Sequence, residues 1–321
     1  MKKQIILITL FLGAVLGACA QDNNQVFMFS YFTGNGEDGL HLAYSHDGYQ
    51  WKALNEGKSF LTPRVGNDKL MRDPCIIKGP EGNFHMVWTV SWEEKGIGYA
   101  WSEDLIHWSE QKYIPVMEHE PKAKNCWAPE LFYDQQTEQF LIVWATTIPG
   151  RFPETDNQSN EGPSQPGNNH RLYYTTTKDF EEFSETEVFY NHGFNVIDGT
   201  IERTGSKYIL FLKDETNKPF TPQKNIRYAL SDRASGPYGE ASEPITGDYW
   251  AEGPTAIQIN DKWVVYFDKY RKGEMGAVRS ENLKEWTDLS EKVHFPDGTR
   301  HGTIFKISQK LFDELKNRTE K

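Results

Sequence analysis

The sequence predicts an all-β fold, a five-bladed β-propeller whose ring is closed by pairing N- and C-terminal strands within one blade. Three observations carry this expectation. A turn-and-aromatic motif recurs, short aromatic-rich runs alternate with turn residues between its copies, and no amphipathic helix of useful length interrupts the series. The motif is clearest at Ser45-His46-Asp47-Gly48-Tyr49-Gln50-Trp51. It returns at 102–108, 177–183 and 280–286, with a looser copy from Ser231 to Tyr238. In each copy a hydroxyl and a short acid or amide can close a turn locally, and an aromatic residue then anchors the next strand. Five copies mean five units of similar build.

Residues 1–19 stand apart from the fold. Lys2 and Lys3 precede an apolar stretch, 5–16, too short to span a bilayer as a stable helix. Leu16-Gly17-Ala18-Cys19 resembles a lipobox, in which the cysteine becomes the lipidated first residue of the mature chain. An ordinary secretory cut after Ala18-Cys19-Ala20 is the alternative. Either way the chain is exported, to the periplasm or the cell surface, and a lipid at Cys19 is its expected membrane attachment. Residues 20–321 read as a single propeller domain.

Within it, runs 26–31 and 40–44 come first and lack an inner strand of their own. Unit one comes next with 73–77, a turn at Gly79-Pro80-Glu81-Gly82, then 84–90 and 97–101. Unit two has 127–133, 140–144 and 171–174. Unit three has Ile201 and 208–212, and unit four has 255–257, a turn at Asn260-Asp261 and 263–267. Run 301–307 supplies the missing inner strand of the fifth, split blade. The tail 310–315 reads as a short surface helix without a chemical role. Trp88, Trp144 and Phe211, in mid-strand, are expected to pack between blades.

Composition narrows the partners. With 35 Lys+Arg against 46 Asp+Glu the net charge is -11, and no basic cluster stands out, which argues against nucleic acid. The 10 Trp, 15 Tyr and 19 Phe suit sheet packing first and sugar-stacking platforms second. Cys75 and Cys126 each begin an apolar strand and read as two buried thiols, with a disulfide as the alternative. Nothing in the sequence sets an oligomeric state.

The chemistry gathers at three acids, Asp73, Asp198 and Glu252. Each stands at the entrance of the first strand of its unit, which reads as one shared position of the repeat. Strands in a blade alternate in direction, so these entrances share a rim with the inserts 149–169 and 216–224, expected to wall a pocket. Clustered carboxyls suit cleavage of glycosidic bonds, which takes one to donate a proton and one to activate water or attack carbon.

The order Arg72-Asp73-Pro74, Trp127-Ala128-Pro129-Glu130, Ile197-Asp198-Gly199-Thr200, Glu252-Gly253-Pro254 and Arg300-His301-Gly302-Thr303 resembles glycoside hydrolase family 43. The likeness covers nearly the whole mature chain. It implies a five-bladed enzyme acting with inversion on α-L-arabinofuranosides and β-D-xylosides of plant polysaccharide. By position, Asp73 matches the general base, Asp198 the acid that sets pKa and orientation, and Glu252 the general acid. Arg72, Trp127, Arg300 and His301 are the expected substrate-side residues, with Trp127 equally open to core packing. The resemblance implies no required cofactor and admits a structural Ca²⁺ on the axis. No metal ligand set is assigned, because one histidine does not make a metal site.

An isolated glutamate titrates near pH ~4.3, so the neighbouring Asp198 carboxylate is expected to lift Glu252 toward ~6–7. Arg72 or Arg300 is expected to keep Asp73 ionised. Inversion needs base and acid about 6.5–9.5 Å apart. Glu130 reads as structural or hydroxyl-binding, and Lys213-Asp214-Glu215 as a solvated charge run with substrate contact as the alternative. Two rival readings are a non-catalytic sugar-binding propeller and a fructoside-cleaving relative. The second lacks the upstream Trp-Met-Asn-Asp-Pro-type nucleophile motif.

Overall fold

In the computed structural model, which describes residues 25–156, 158 and 167–319, five antiparallel sheets form the blades of a propeller. The 1–19 segment with Cys19, and much of the 149–169 insert, lie outside the described residues. Strands β1 (Gln25–Tyr31), β2 (His41–Ser45) and β3 (Lys52–Ala53) belong to the split blade V. Blade I is β4 (Arg72–Lys78), β5 (Phe84–Thr89), β6 (Ile97–Ser102) and β7 (Lys112–Ile114). Blade II is β8 (Trp127–Asp134), β9 (Gln139–Thr147), β10 (His170–Thr177) and β11 (Glu187–Tyr190). Blade III has β12 (Val196–Thr204), β13 (Lys207–Asp214) and β14 (Asn225–Ser231). Blade IV is β15 (Glu252–Ile259), β16 (Lys262–Lys269), β17 (Glu274–Ser280) and β18 (Thr287–Asp288). Finally β19 (Thr303–Ser308) pairs antiparallel with β1, with Phe29 opposite Ile304.

The repeated motif folds as its residue types dictate. Asp47 Oδ1 accepts the amides of Tyr49 (2.7 Å) and Gln50 (2.8 Å), while Ser45 Oγ accepts that of Gly48 (2.9 Å). The same bonds recur around Ser102 and Asp104, Thr177 and Asp179, and Ser280 and Asn282. The looser copy behaves differently. Asp232 reaches Lys207 instead of closing the turn, and blade III has three strands where each of the other blades has four. Pro237 and Pro244, which have no amide hydrogen to donate, interrupt the ladder that a fourth strand would form. Only the amides of Gly239, Ser242 and Ile245 reach β14, at the carbonyls of Leu230, Tyr228 and Ile226.

The core is divided into five apolar clusters, one at each seam between neighbouring blades. Trp88 fills the V/I seam, Trp144 the I/II seam and Phe211 the III/IV seam, all fully buried. Cys75 and Cys126 are free, buried thiols in the I/II seam. Among the described residues no helix is long and apolar enough to cross a membrane.

The tail departs from its expected surface role. Helix α1 (Gln309–Thr319) buries Phe312 and Leu315 in the V/I seam, and the Phe312 ring lies 4.7 Å from that of Tyr44. A helix that comes directly after the closing strand can cover the seam that strand completes. Truncating a buried aromatic side chain costs about 3–5 kcal/mol. Phe312→Ala is therefore expected to destabilise the fold by that amount, read from the urea midpoint at unchanged slope.

Candidate active site

The site is built by one local distortion repeated around the ring. In β4, β8, β12 and β15 the pairing with the second strand slips by one residue, between Arg72 and Cys75, Trp127 and Glu130, Ile197 and Thr200, and Glu252 and Thr255. At each slip one residue takes a left-handed backbone: Asp73 (φ 52), Ala128 (φ 45), Asp198 (φ 53) and Gly253 (φ 60). Aspartate and glycine tolerate this region, whereas alanine is strained there. In a regular strand consecutive side chains point to opposite faces. A bulge suspends that rule and re-aims a side chain.

Consecutive residues consequently face one cavity. At the bulges Arg72 and Asp73, Trp127 and Ala128, and Ile197 and Asp198 all line it, together with Glu252, and Arg300 and His301 join them from the segment just before β19, which pairs without a slip. Its volume is about 190 Å³. The three sequence-predicted acids therefore do share a basin, but not one repeat position. Glu252 enters one residue ahead of Asp73 and Asp198, and Gly253 holds the equivalent place. A side chain there is excluded, because a Cβ on Gly253 would lie 2.2 Å from the His301 ring.

Each acid has a distinct surrounding. Asp73 accepts a hydrogen bond from Thr89 Oγ1 at 2.9 Å, and its Oδ1 lies 3.3 Å from His301 Nδ1. Thr89 in turn accepts the Ala128 amide, tying the bulges of blades I and II together. Burial opposes the Asp73 charge. The imidazolium of His301, the Arg72 guanidinium and the Thr89 hydroxyl prevail and hold the carboxyl at about 2. Burial likewise opposes a charged His301, yet Asp73, with Asp198 and Glu130, raises the imidazole to about 9. The direct partner of Asp73 is thus His301. Arg72 acts through its charge, and Arg300 is engaged elsewhere.

Asp198 Oδ2 accepts the Gly253 amide at 2.9 Å. Burial, then the charges of Glu252 and Asp73, push Asp198 up to about 6 against the pull of His301 and Lys213. Glu252 itself is gripped by two cations, Lys213 Nζ 3.0 Å from Oε2 and Arg300 NH2 3.2 Å from Oε1. Where the sequence suggested an acid facing only another acid, the structure places two basic groups on its oxygens. Arg300 also donates through Nε to the buried Asp268 at 2.7 Å. The 213–215 run is not solvated, since Lys213 and Glu215 are buried and paired at 2.7 Å.

Below the cavity lies Glu130, which accepts hydrogen bonds from Thr303 (3.2 Å) and Thr200 (3.3 Å). Burial pushes its carboxyl up to about 7. Of the two roles expected for it, structural or hydroxyl-binding, these bonds fit the structural one. His301 Nδ1 is committed to Asp73 and Glu130 to the threonines. Among the described residues no group of three or more His, Cys, Asp or Glu side chains is placed to hold a metal ion.

Several wall residues were not read from the sequence. Trp92, half-exposed, holds its ring 5.5 Å from that of Trp127, edge to face, and accepts the Trp127 Nε1 hydrogen on its carbonyl at 3.0 Å. Asn35 Oδ1 accepts from both Arg72 (2.9 Å) and Trp92 (3.2 Å). The Arg72 guanidinium sits over the rings of Phe32 and Trp92. Tyr270 closes the side nearest Glu252. Trp92 and Tyr270 each lie just past a second strand, the only signal that could have found them. Among the described residues, neither the 149–169 nor the 216–224 insert lines the cavity. The two inserts bond to each other instead, through the Gln158 amide and the Lys218 carbonyl.

The Asp73–His301 pair makes a direct prediction. The imidazole of His301 is raised above its unfolded value, so its contribution to stability is complete below pH ~6.5 and is lost as pH rises through about 9. Ring-proton NMR of the folded protein is expected to show His301 titrating near 9, and Asp73→Asn is expected to bring that titration down by at least about one pH unit.

Comparison with known proteins agrees with this architecture. Residues 22–313 match the model of a family related to glycosyl hydrolase family 43, described as a probable glycosyl hydrolase domain. An α-L-arabinofuranosidase of Bifidobacterium longum is 22% identical over 302 residues, covering 78% of this chain and 27% of the relative, so the chain spans about a quarter of that protein's length. An α-L-arabinofuranosidase from Lactobacillus brevis superposes with a TM-score of 0.50 at 16% identity, covering 68% of this chain and 72% of that one. An exo-β-1,3-galactanase from Clostridium thermocellum gives 0.51 at 12% identity, covering 68% and 48%. These two likenesses concern the fold. With the family match spanning nearly all of the described residues, the chain belongs to the glycosyl hydrolase 43-related family.

Proposed function

We propose that the protein is an exo-acting, inverting glycosidase that releases α-L-arabinofuranose or β-D-xylose from plant polysaccharide or its oligosaccharides. The observation that carries this reading is the single cavity in which Asp73, Asp198 and Glu252 meet. Its volume, about 190 Å³, is below the ~300–1,000 Å³ of drug-sized ligand sites, which supports one terminal sugar ring over a chain threaded through.

Asp73, held ionised by His301, takes a proton from a water that attacks the anomeric carbon. As the bond from water oxygen to carbon forms, the glycosidic carbon–oxygen bond breaks. Glu252 gives its proton to the departing oxygen, and the sugar leaves with its configuration inverted. Asp198, bonded to the amide beside Glu252, sets the position and proton affinity of that acid. Trp92 and Trp127 supply apolar ring faces of the kind that sugars stack on. The protein is exported and held at a membrane by lipid on Cys19. Loss of fatty-acid labelling in Cys19→Ser is the expected mark of that anchor.

The roles separate by leaving group. Glu252→Gln should lower kcat/KM on unactivated pentosides by about 10²–10⁴-fold while sparing much of the activity on aryl glycosides, which need little protonation. Asp73→Ala should lose at least about 10²-fold on both. Proton NMR of the first product formed should show the inverted anomer. Equal losses by the two variants on both substrate types, or a retained anomer, would count against the assignment.

A further inference from the structure

Lys213 is a fully buried lysine that the reaction scheme leaves without a task. It lies on β13 opposite Ile197, next to Asp198 in blade III, and its ammonium crosses the seam to reach Glu252 of blade IV at 3.0 Å. On its other side it meets Glu215 Oε2 at 2.7 Å, and Glu215, also buried, meets Lys224 through Oε1. The backbone closes the same loop, because the Ala251 amide, one residue before Glu252, donates to the Lys224 carbonyl at 2.9 Å. The Tyr270 ring lies 4.7 Å from the ammonium and leaves it little room to move. A buried charge without partners is costly, so the row Lys224–Glu215–Lys213–Glu252 fixes each member against the next.

We propose that Lys213 is a further positioning residue of Glu252, acting on the carboxylate itself where Asp198 acts through the neighbouring amide, and that Glu215 governs how strongly Lys213 holds that carboxyl. The inference rests on Glu252 being the general acid, as proposed above. An acid must carry its proton at the start of each turnover, while an ammonium at hydrogen-bond distance favours the ionised form. Glu215 competes for the same ammonium and weakens its grip. The opposing side of Glu252 carries Arg300 with Asp268, and Asp198, Asp73, Arg72 and His301 face it from within the cavity. His170, whose imidazole burial depresses to about 4, stands behind Lys213 and Glu215 as a neutral group.

The consequence has a sign in each direction. Lys213→Met removes a cation from Glu252, so the basic limb of the kcat/KM profile on an unactivated pentoside moves to higher pH by about one unit or more. Glu215→Gln leaves Lys213 to Glu252 alone, and the same limb moves to lower pH. Lys213→Arg should return the limb toward the wild-type position. Opposite shifts cannot come from general loosening of the fold, which lowers amplitude without moving the limb in two directions. Coincident limbs in wild type, Lys213→Met and Glu215→Gln, or shifts of the same sign, would overturn the proposal. If Lys213→Met does not fold, the shift in Glu215→Gln decides alone. Wild-type protein that cleaves no pentoside would sink the underlying assignment instead, which is a distinguishable result.

Discussion

The structure depends on a left-handed backbone turn at the mouth of its inner strands. A propeller delivers five strand entrances to one end of its axis, but regular strands would present only alternate side chains there. The repeated slip in register removes that limit, so Arg72 with Asp73, Trp127 with Ala128 and Ile197 with Asp198 line the same small cavity. The distortion is supported by its neighbours. The Ala128 amide bonds to Thr89, and the Gly253 amide to Asp198, each reaching from one blade to the one before. Strain in one strand is thereby over-determined by contacts from the next, the condition under which such conformations persist.

That crowding sets the electrostatics. Three acids close together at the hub would repel one another strongly in a water-poor site. The molecule interleaves them with cations, His301 on Asp73 and Lys213 and Arg300 on Glu252, and a further acid, Asp268, backs Arg300. Asp198 differs in taking its hydrogen bond from a backbone amide, and burial raises its carboxyl. Opposed surroundings within one basin separate a firmly ionised carboxylate, Asp73, from an acid that holds its proton more readily, Asp198.

The rest of the fold keeps the strand entrances in place. Five apolar seams carry the bulk of the buried side chains, and α1 covers the one between the split blade V and blade I. Walls of the cavity come from short connections near Asn35, Trp92 and Tyr270, whereas the described residues of the two long inserts engage each other. Among the described residues, loop length was therefore a poor guide to which loops touch the site. Position past the second strand was a better one.

Residue type and spacing alone determined the repeat, the turn chemistry and the clustering of Asp73, Asp198 and Glu252. Each of these rests on local physics: a hydroxyl and a carboxylate capping nearby amides, and a period that must return every first strand to one axis. Tertiary structure alone decided that Glu252 stands a residue out of step, that His301 and not an arginine holds Asp73, and that the 213–215 run is buried. It also decided that the terminal helix packs into a seam. Those facts depend on side chains far apart in sequence meeting across blade seams, where register, bulge and burial act together and no local pattern records the outcome.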